Sequence, residues 1–149
     1  GGASTATTGN IVTRTLAGTA FSETEPNETI AQANAPTLPV NISAEIVARG
    51  TEEAPVSDVD SFSFAATAGT TYYVDQLGRN ASTLDAIVTL VGPDGEVIEE
   101  FDNPDGGTTE SFSFTAATAG TYVVQVEGYA SPFTGVSTGL YTMYVAAAQ

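Results

Sequence analysis

Between Glu23 and Glu28 the chain gathers oxygen-bearing side chains at Glu23, Glu25, Asn27 and Glu28. In an extended segment every second side chain points the same way. Pro26 biases Glu25 away from the helical region and toward an extended backbone. Glu23, Glu25 and Asn27 are therefore expected to present oxygens on one side, with Glu28 just beyond the turn. Such a set suits a hard cation, since Ca²⁺ takes about six to eight oxygen ligands and neither nitrogen nor sulfur. The plainer reading is an acidic segment in solvent. The alternating spacing and the proline favour the ion.

The elements that must carry this cluster are β-strands. From about residue 42 onward, short runs rich in Val, Ile, Thr, Tyr and Phe alternate with turn signals such as Pro93-Asp94-Gly95 and Pro104-Asp105-Gly106-Gly107. The expected strands are 43–49, 60–65, 71–77, 85–91, 96–101, 110–115, 121–127 and 139–146. Eight short strands at this spacing read as a two-sheet antiparallel sandwich. Residues 1–22, rich in Gly, Ala and Thr, read as a linker or N-terminal arm, with a short strand possible over Ile11–Leu16; residues 23–149 read as the sandwich domain. Thr29 to Asn34 is expected to form one or two helical turns, stopped before Pro36.

An internal echo sets the faces of four strands. Ser61-Phe62-Ser63-Phe64 returns as Ser111-Phe112-Ser113-Phe114, each followed by a Thr-Ala-Gly turn and a Tyr-containing strand. A slip of one residue turns every side chain over, so equal spacing in both copies implies equal faces. Phe62, Phe64, Tyr72, Val74, Phe112, Phe114, Tyr122, Val124 and Val126 are expected inward. Tyr73, Asp75, Val123, Gln125 and Glu127 are expected outward. Tyr141 and Tyr144 fall on opposite faces of the last strand, so one of them belongs to the core.

Composition narrows function. The chain has 149 residues, with 18 Asp plus Glu against three Arg (Arg14, Arg49, Arg79), no Lys, and a net charge of −15. Such a charge repels phosphate backbones and anionic lipid, which excludes nucleic acid as a partner. Self-repulsion of this size is tolerable in salty water, or where cations neutralise the acids; both point outside the cell or to a high-salt habitat. Without Cys, His or Lys there is no disulfide, thiolate zinc site, Ser-His-Asp triad, Schiff base or P-loop. No apolar stretch is long enough to span a membrane, so no membrane insertion is expected. The chain reads as a monomeric piece of a larger multidomain protein.

Five segments in order carry a resemblance: Glu25-Pro26-Asn27-Glu28-Thr29, Asp58-Val59-Asp60-Ser61-Phe62, Leu90-Val91-Gly92-Pro93-Asp94-Gly95, Ala119-Gly120-Thr121-Tyr122 and Gly139-Leu140-Tyr141. Together they resemble the bacterial pre-peptidase C-terminal domain family over roughly residues 23–146. The collagen-binding domains of clostridial collagenases are similar. The resemblance implies a jelly-roll-like β-sandwich attached to secreted proteases and other exported proteins, with calcium held where the N-terminal linker meets the sandwich. The linker pattern of those collagen-binding domains, Glu-x-Glu-x-Asn-Asp, is matched by Glu23, Glu25, Asn27 and Glu28, with Glu28 one methylene longer than the usual Asp. Acidic ligands from the loop entering the Asp-x-Phe strand map onto Asp58 and Asp60.

The expected role is a non-catalytic, calcium-binding accessory domain of a secreted or cell-surface bacterial protein. It would bind an extracellular polymer, glycan or peptide, or position a catalytic neighbour. A ligand-binding module of a calcium-dependent adhesin is the alternative. A glycosidase working with two carboxylates is the third reading, disfavoured because most acids cluster in turns and the linker. Tyr73, Tyr129 and Phe133 are the candidate ligand-binding aromatics, because rings give large contact area at low entropy cost. A second acidic group, Asp94, Glu96, Glu99, Glu100, Asp102 and Asp105, is expected to serve turns and a solvated edge.

Overall fold

Alternation of apolar and polar residues translates directly into strands. The computed structural model describes residues 5–8, 18–50, 55–79, 83–102, 109–131 and 135–148. In chain order the described strands begin with β1 (Thr5–Thr8), β2 (Thr19–Ser22), β3 (Val40–Ile46), β4 (Ala48–Gly50), β5 (Pro55–Ser57), β6 (Val59–Ala66) and β7 (Thr71–Gly78). They continue with β8 (Ala86–Val91), β9 (Val97–Phe101), β10 (Thr109–Thr115), β11 (Gly120–Gly128), β12 (Ala130–Ser131), β13 (Gly135–Val136) and β14 (Gly139–Ala147). A single 3-10 turn over Ile30–Gln32, capped by Thr29 accepting from the Gln32 amide, stands where helical turns were expected.

Two sheets face each other. The larger runs β1-β10-β7-β14-β3-β2, and the smaller β6-β11-β8-β9. All main pairings are antiparallel except β2 with β3, which is parallel. The fold class expected from the sequence, an all-β sandwich, is the one observed. Residues 1–22 are more than a tether: where they are described, they contribute β1 and β2 to the larger sheet. The expected strand at 11–16 lies outside the described residues. The expected strand 43–49 starts earlier, at Val40, and breaks at Val47 before β4.

All nine residues expected inward are buried. Phe64, Tyr72, Phe114 and Tyr122 form one ring cluster, with centroids 5.4 to 6.4 Å apart. The echo has a consequence in pairing. The Phe strand of the first copy, β6, pairs with the Tyr strand of the second, β11, as Tyr122 opposite Phe64 and Val124 opposite Phe62. The second Phe strand, β10, pairs with β7 in the other sheet, as Phe112 opposite Val74 and Phe114 opposite Tyr72. Each copy therefore spans both sheets, and the ring cluster joins them. Both tyrosine hydroxyls bond back to the preceding turn: Tyr72 accepts from the Thr67 amide at 2.8 Å, and Tyr122 donates to the Thr118 carbonyl at 2.9 Å.

Two residues expected at the surface are buried, Asp75 at 3% and Val123 at 3% exposure. Their faces follow the alternation, but both sit on inner strands with neighbours on each side. Asp75 lies between Ser111 and Tyr144 and accepts a hydrogen bond from the Ser111 hydroxyl at 2.5 Å. Val123 lies between Ser63 and Val91. Alternation sets direction; position within the sheet sets exposure. Tyr141 is the core member of its pair, fully buried, while Tyr144 is partly exposed.

Candidate metal centre

The acidic segment lies where the two sheets meet. After β2, the Glu23 amide donates to the Ser43 carbonyl at 3.1 Å, which prolongs the β2–β3 ladder by one residue. The chain then leaves the larger sheet and runs beside the start of β6 in the smaller one. Ser61 N donates to Asn27 O, Asn34 N to Ser61 O, and Ser63 N to Asn34 O, at 2.7 to 2.9 Å. This crossing carries residues 23–28 over to Asp58 and Asp60. The Glu25–Pro26 peptide is cis. The segment is not a strand: Asn27 is buried while Glu25 is exposed, so simple alternation does not describe it.

Two groups of carboxylates result, each with oxygens within 4.8 Å of one another: Glu23, Glu25 and Asp60, and Glu25, Glu28 and Asp58. Either has the spacing to hold a metal ion. Glu23 is held at both oxygens, by the Glu45 amide at 2.7 Å and the Asn27 side-chain amide at 3.2 Å. The Asn27 backbone N–H donates to the Glu25 carboxylate at 3.3 Å. Asp60 is fully buried and takes the Tyr141 hydroxyl at 2.6 Å on one oxygen; its other oxygen has no hydrogen-bond partner. Asp58, also fully buried, accepts from the Val47 amide at 3.1 Å and from Arg49 Nε at 2.9 Å.

The orientation of Asn27 follows from its neighbours. Asn34 is fixed at both ends by Thr24, accepting from its amide and donating to its carbonyl. The Asn27 amide nitrogen, which donates to Asn34 Oδ1 at 3.3 Å, is thereby assigned. Its carbonyl oxygen is left buried without a partner. Buried polar atoms are nearly always satisfied, so two such oxygens, on Asn27 and Asp60, beside a carboxylate group are what a cation would complete. The donor set is oxygen only, which fits a hard ion.

Electrostatics are unfavourable without one. Burial is the main reason Asp60 is pushed up to about 9, with the charges of Glu23 and Asp58 adding to it and the Tyr141 hydrogen bond opposing it. Glu25 rises to about 7, from burial first, then its hydrogen bond with Glu28 and the charges of Asp58, Glu23 and Glu28. Burial and Asp60 push the Tyr141 phenol well above its ordinary value. An unfolded Asp titrates near 3.8, so between there and about 9 the folded chain binds more protons than the unfolded one. The stability is thus full at low pH and declines as pH rises through that window. Glu25 acts in the same direction over a narrower range, weakened by its exposure. In chelator, the melting temperature is expected to fall from about pH 5 to about pH 8, and Asp60→Asn should flatten the slope. A flat wild-type profile would remove this account of the cluster.

Two of the three aromatic candidates fall on described residues. Tyr73 is half-buried on the outer face of the larger sheet, Tyr129 is 45% exposed just after β11 of the smaller one, and Phe133 lies outside the described residues. Of the second acidic group, Asp94 accepts from the Glu96 amide at 3.0 Å as a turn residue, and Glu99 and Glu100 are exposed on the edge strand β9. Asp105 lies outside the described residues. Sequence reasoning missed Arg49, Tyr141 and Asn34 as parts of the centre. Arg49 had a signal: it is one of only three cations in a chain of 18 acids.

Comparison with known proteins follows the same lines. A family model described as "Bacterial pre-peptidase C-terminal domain" matches residues 58–128, from Asp58 through β6 to the end of β11. No curated protein sequence matches the chain. Among solved structures, the chain is similar to the pre-peptidase C-terminal domain of a collagenase from Bacillus anthracis, with 16% identity and a TM-score of 0.54, covering 83% of this chain and 99% of that one. At that identity the likeness speaks for the fold alone. The resemblance read from the sequence is thus met twice: the bacterial pre-peptidase C-terminal domain model matches residues 58–128, and the fold across the sandwich is similar to that of a domain of this family.

Proposed function

We propose that this is a non-catalytic accessory domain of a secreted or cell-surface bacterial protein, made rigid by Ca²⁺ at the junction of its N-terminal segment and sandwich. The observation that carries this reading is the pair of buried, unpartnered oxygens on Asn27 and Asp60 beside the Glu23/Glu25/Asp60 carboxylates. Glu23, Glu25, Asn27 and Asp60 would hold the ion, with Glu28 and Asp58 close by in the adjoining group. Bound there, Ca²⁺ supplies positive charge that relieves the repulsion among the acids. Glu23 is anchored to β3 of the larger sheet through Glu45, whereas Asp60 lies on β6 of the smaller sheet, so an ion held by both would lock the two sheets together. The domain would then present its surface to an extracellular polymer, glycan or peptide, or hold a neighbouring domain in place, as expected of an accessory module. Among the described residues no helix is long and apolar enough to cross a membrane.

A ligand that binds only the folded state adds RT ln(1 + [L]/Kd) to stability. Melting in millimolar calcium is therefore expected to occur several degrees above melting in EDTA. Magnesium, which demands a tighter octahedral shell, should shift it less. Superimposable curves in calcium and EDTA would refute the ion.

A further inference from the structure

The two carboxylate groups share Glu25, yet they differ in one respect. The Glu25/Glu28/Asp58 group already contains a cation. The Arg49 guanidinium lies 3.2 Å from Glu25 and 2.6 Å from Glu28 through one terminal nitrogen, and 2.9 Å from Asp58 through Nε. Arg49 stands on β4, opposite Val56 of β5, so a short two-stranded ribbon delivers it to the site. The other described arginine, Arg79, is turned elsewhere and donates to the Ser43 hydroxyl at 3.2 Å.

Arginine suits this task. Its guanidinium stays charged at every pH a protein survives, and its fork of donors matches several carboxylate oxygens at once. A divalent ion in the same group would have to sit among the oxygens that the guanidinium holds, and two cations in that space repel strongly. In the Glu23/Glu25/Asp60 group Arg49 reaches only the shared Glu25 among the described residues, and the two unpartnered oxygens of Asn27 and Asp60 lie there.

We infer that Arg49 is a built-in cation standing where a second divalent ion would otherwise bind, so that the domain takes one ion, in the Glu23/Glu25/Asp60 group, and removing Arg49 opens a second site in the Glu25/Glu28/Asp58 group. This rests on the calcium reading above for the first ion, but not for the difference that Arg49 makes. The consequence is a centre whose ion count is set by a single side chain.

The test counts calcium ions per chain by native mass spectrometry, with calorimetry on the same samples. The expected counts are one for the wild type, two for Arg49→Ala, none for Asp60→Asn, and one for the Arg49→Ala/Asp60→Asn double variant. Arg49→Lys, which keeps the charge, should retain the wild-type count. The reading of Arg49 is overturned if Arg49→Ala binds the same number as the wild type, or if the wild type already binds two. A wild type that binds none sinks the proposed function instead, and a gain of one ion in Arg49→Ala would still uphold the role of Arg49. Should Arg49→Ala fail to fold, as judged by circular dichroism, Arg49→Gln removes the charge while keeping a long polar side chain, and the same counts decide.

Discussion

Asp60→Asn is expected to abolish the calcium-dependent rise in melting temperature while leaving the metal-free domain at least as stable as the wild type. The two halves have opposite origins. In the absence of metal, the Asp60 carboxylate is fully buried, has one unpartnered oxygen, and faces the charges of Glu23 and Asp58. Asparagine has the same shape without the charge. Its carbonyl can still accept from Tyr141, and its amide can donate toward Glu23, so the site is neutral without having to bind a proton. In the presence of calcium the same change removes an anionic ligand. At a hundredfold excess over Kd the wild type gains about 2.7 kcal/mol. For a domain of this size that corresponds to a shift of roughly 5–10 °C, all of which the variant should lose. A variant that still melts several degrees higher in calcium than in EDTA would show that Asp60 is not a ligand. A large loss of stability in EDTA would show that its carboxylate is structural.

Phe112→Ala is expected to lower the melting temperature by an equal amount in calcium and in EDTA. Phe112 of β10 stacks on Phe101 of β9, with ring centroids 3.8 Å apart and planes 7° apart. The two strands belong to different sheets, and both rings are almost completely buried. Truncating a buried Phe costs about 3–5 kcal/mol, the lost transfer energy plus the cavity left behind, or a drop of roughly 10 °C or more. Neither ring belongs to the acidic groups, so thermal scans with and without calcium should show the same displacement. A drop seen only in EDTA would mean that the two regions are coupled, and that the core is organised by the ion rather than by its own packing.

Much of this architecture was legible in the residues. The alternation in Ser61-Phe62-Ser63-Phe64 and in its echo at Ser111 assigned the buried faces of β6, β7, β10 and β11, because side chains on a strand can point only two ways. Turn residues marked where strands stop, and Asp94 does what an Asx turn residue does. The acids of residues 23–28 were visible as potential oxygen donors for the same reason that any local cluster is visible: their neighbours in space are also neighbours in sequence.

What stayed hidden depends on contacts between distant residues. The alternation says which way Phe112 points, but not that β10 pairs with β7 rather than β11, so the exchange of partners between the two copies of the echo appears only in three dimensions. Nor does it tell that Asp75 and Val123, though directed away from the core, are enclosed by the strands beside them. The same holds for the centre. Tyr141 reaches Asp60 across 81 positions of chain, and Arg49 meets Glu25, Glu28 and Asp58 only because a ribbon, a crossing segment and the start of β6 converge. The sequence alone determined the kinds of donor, the spacing of strands and the direction of each side chain, since these are local and steric. The tertiary structure decided which carboxylates share a space and which of them already has a positive neighbour, since charge acts through distance and only folding brings those distances about.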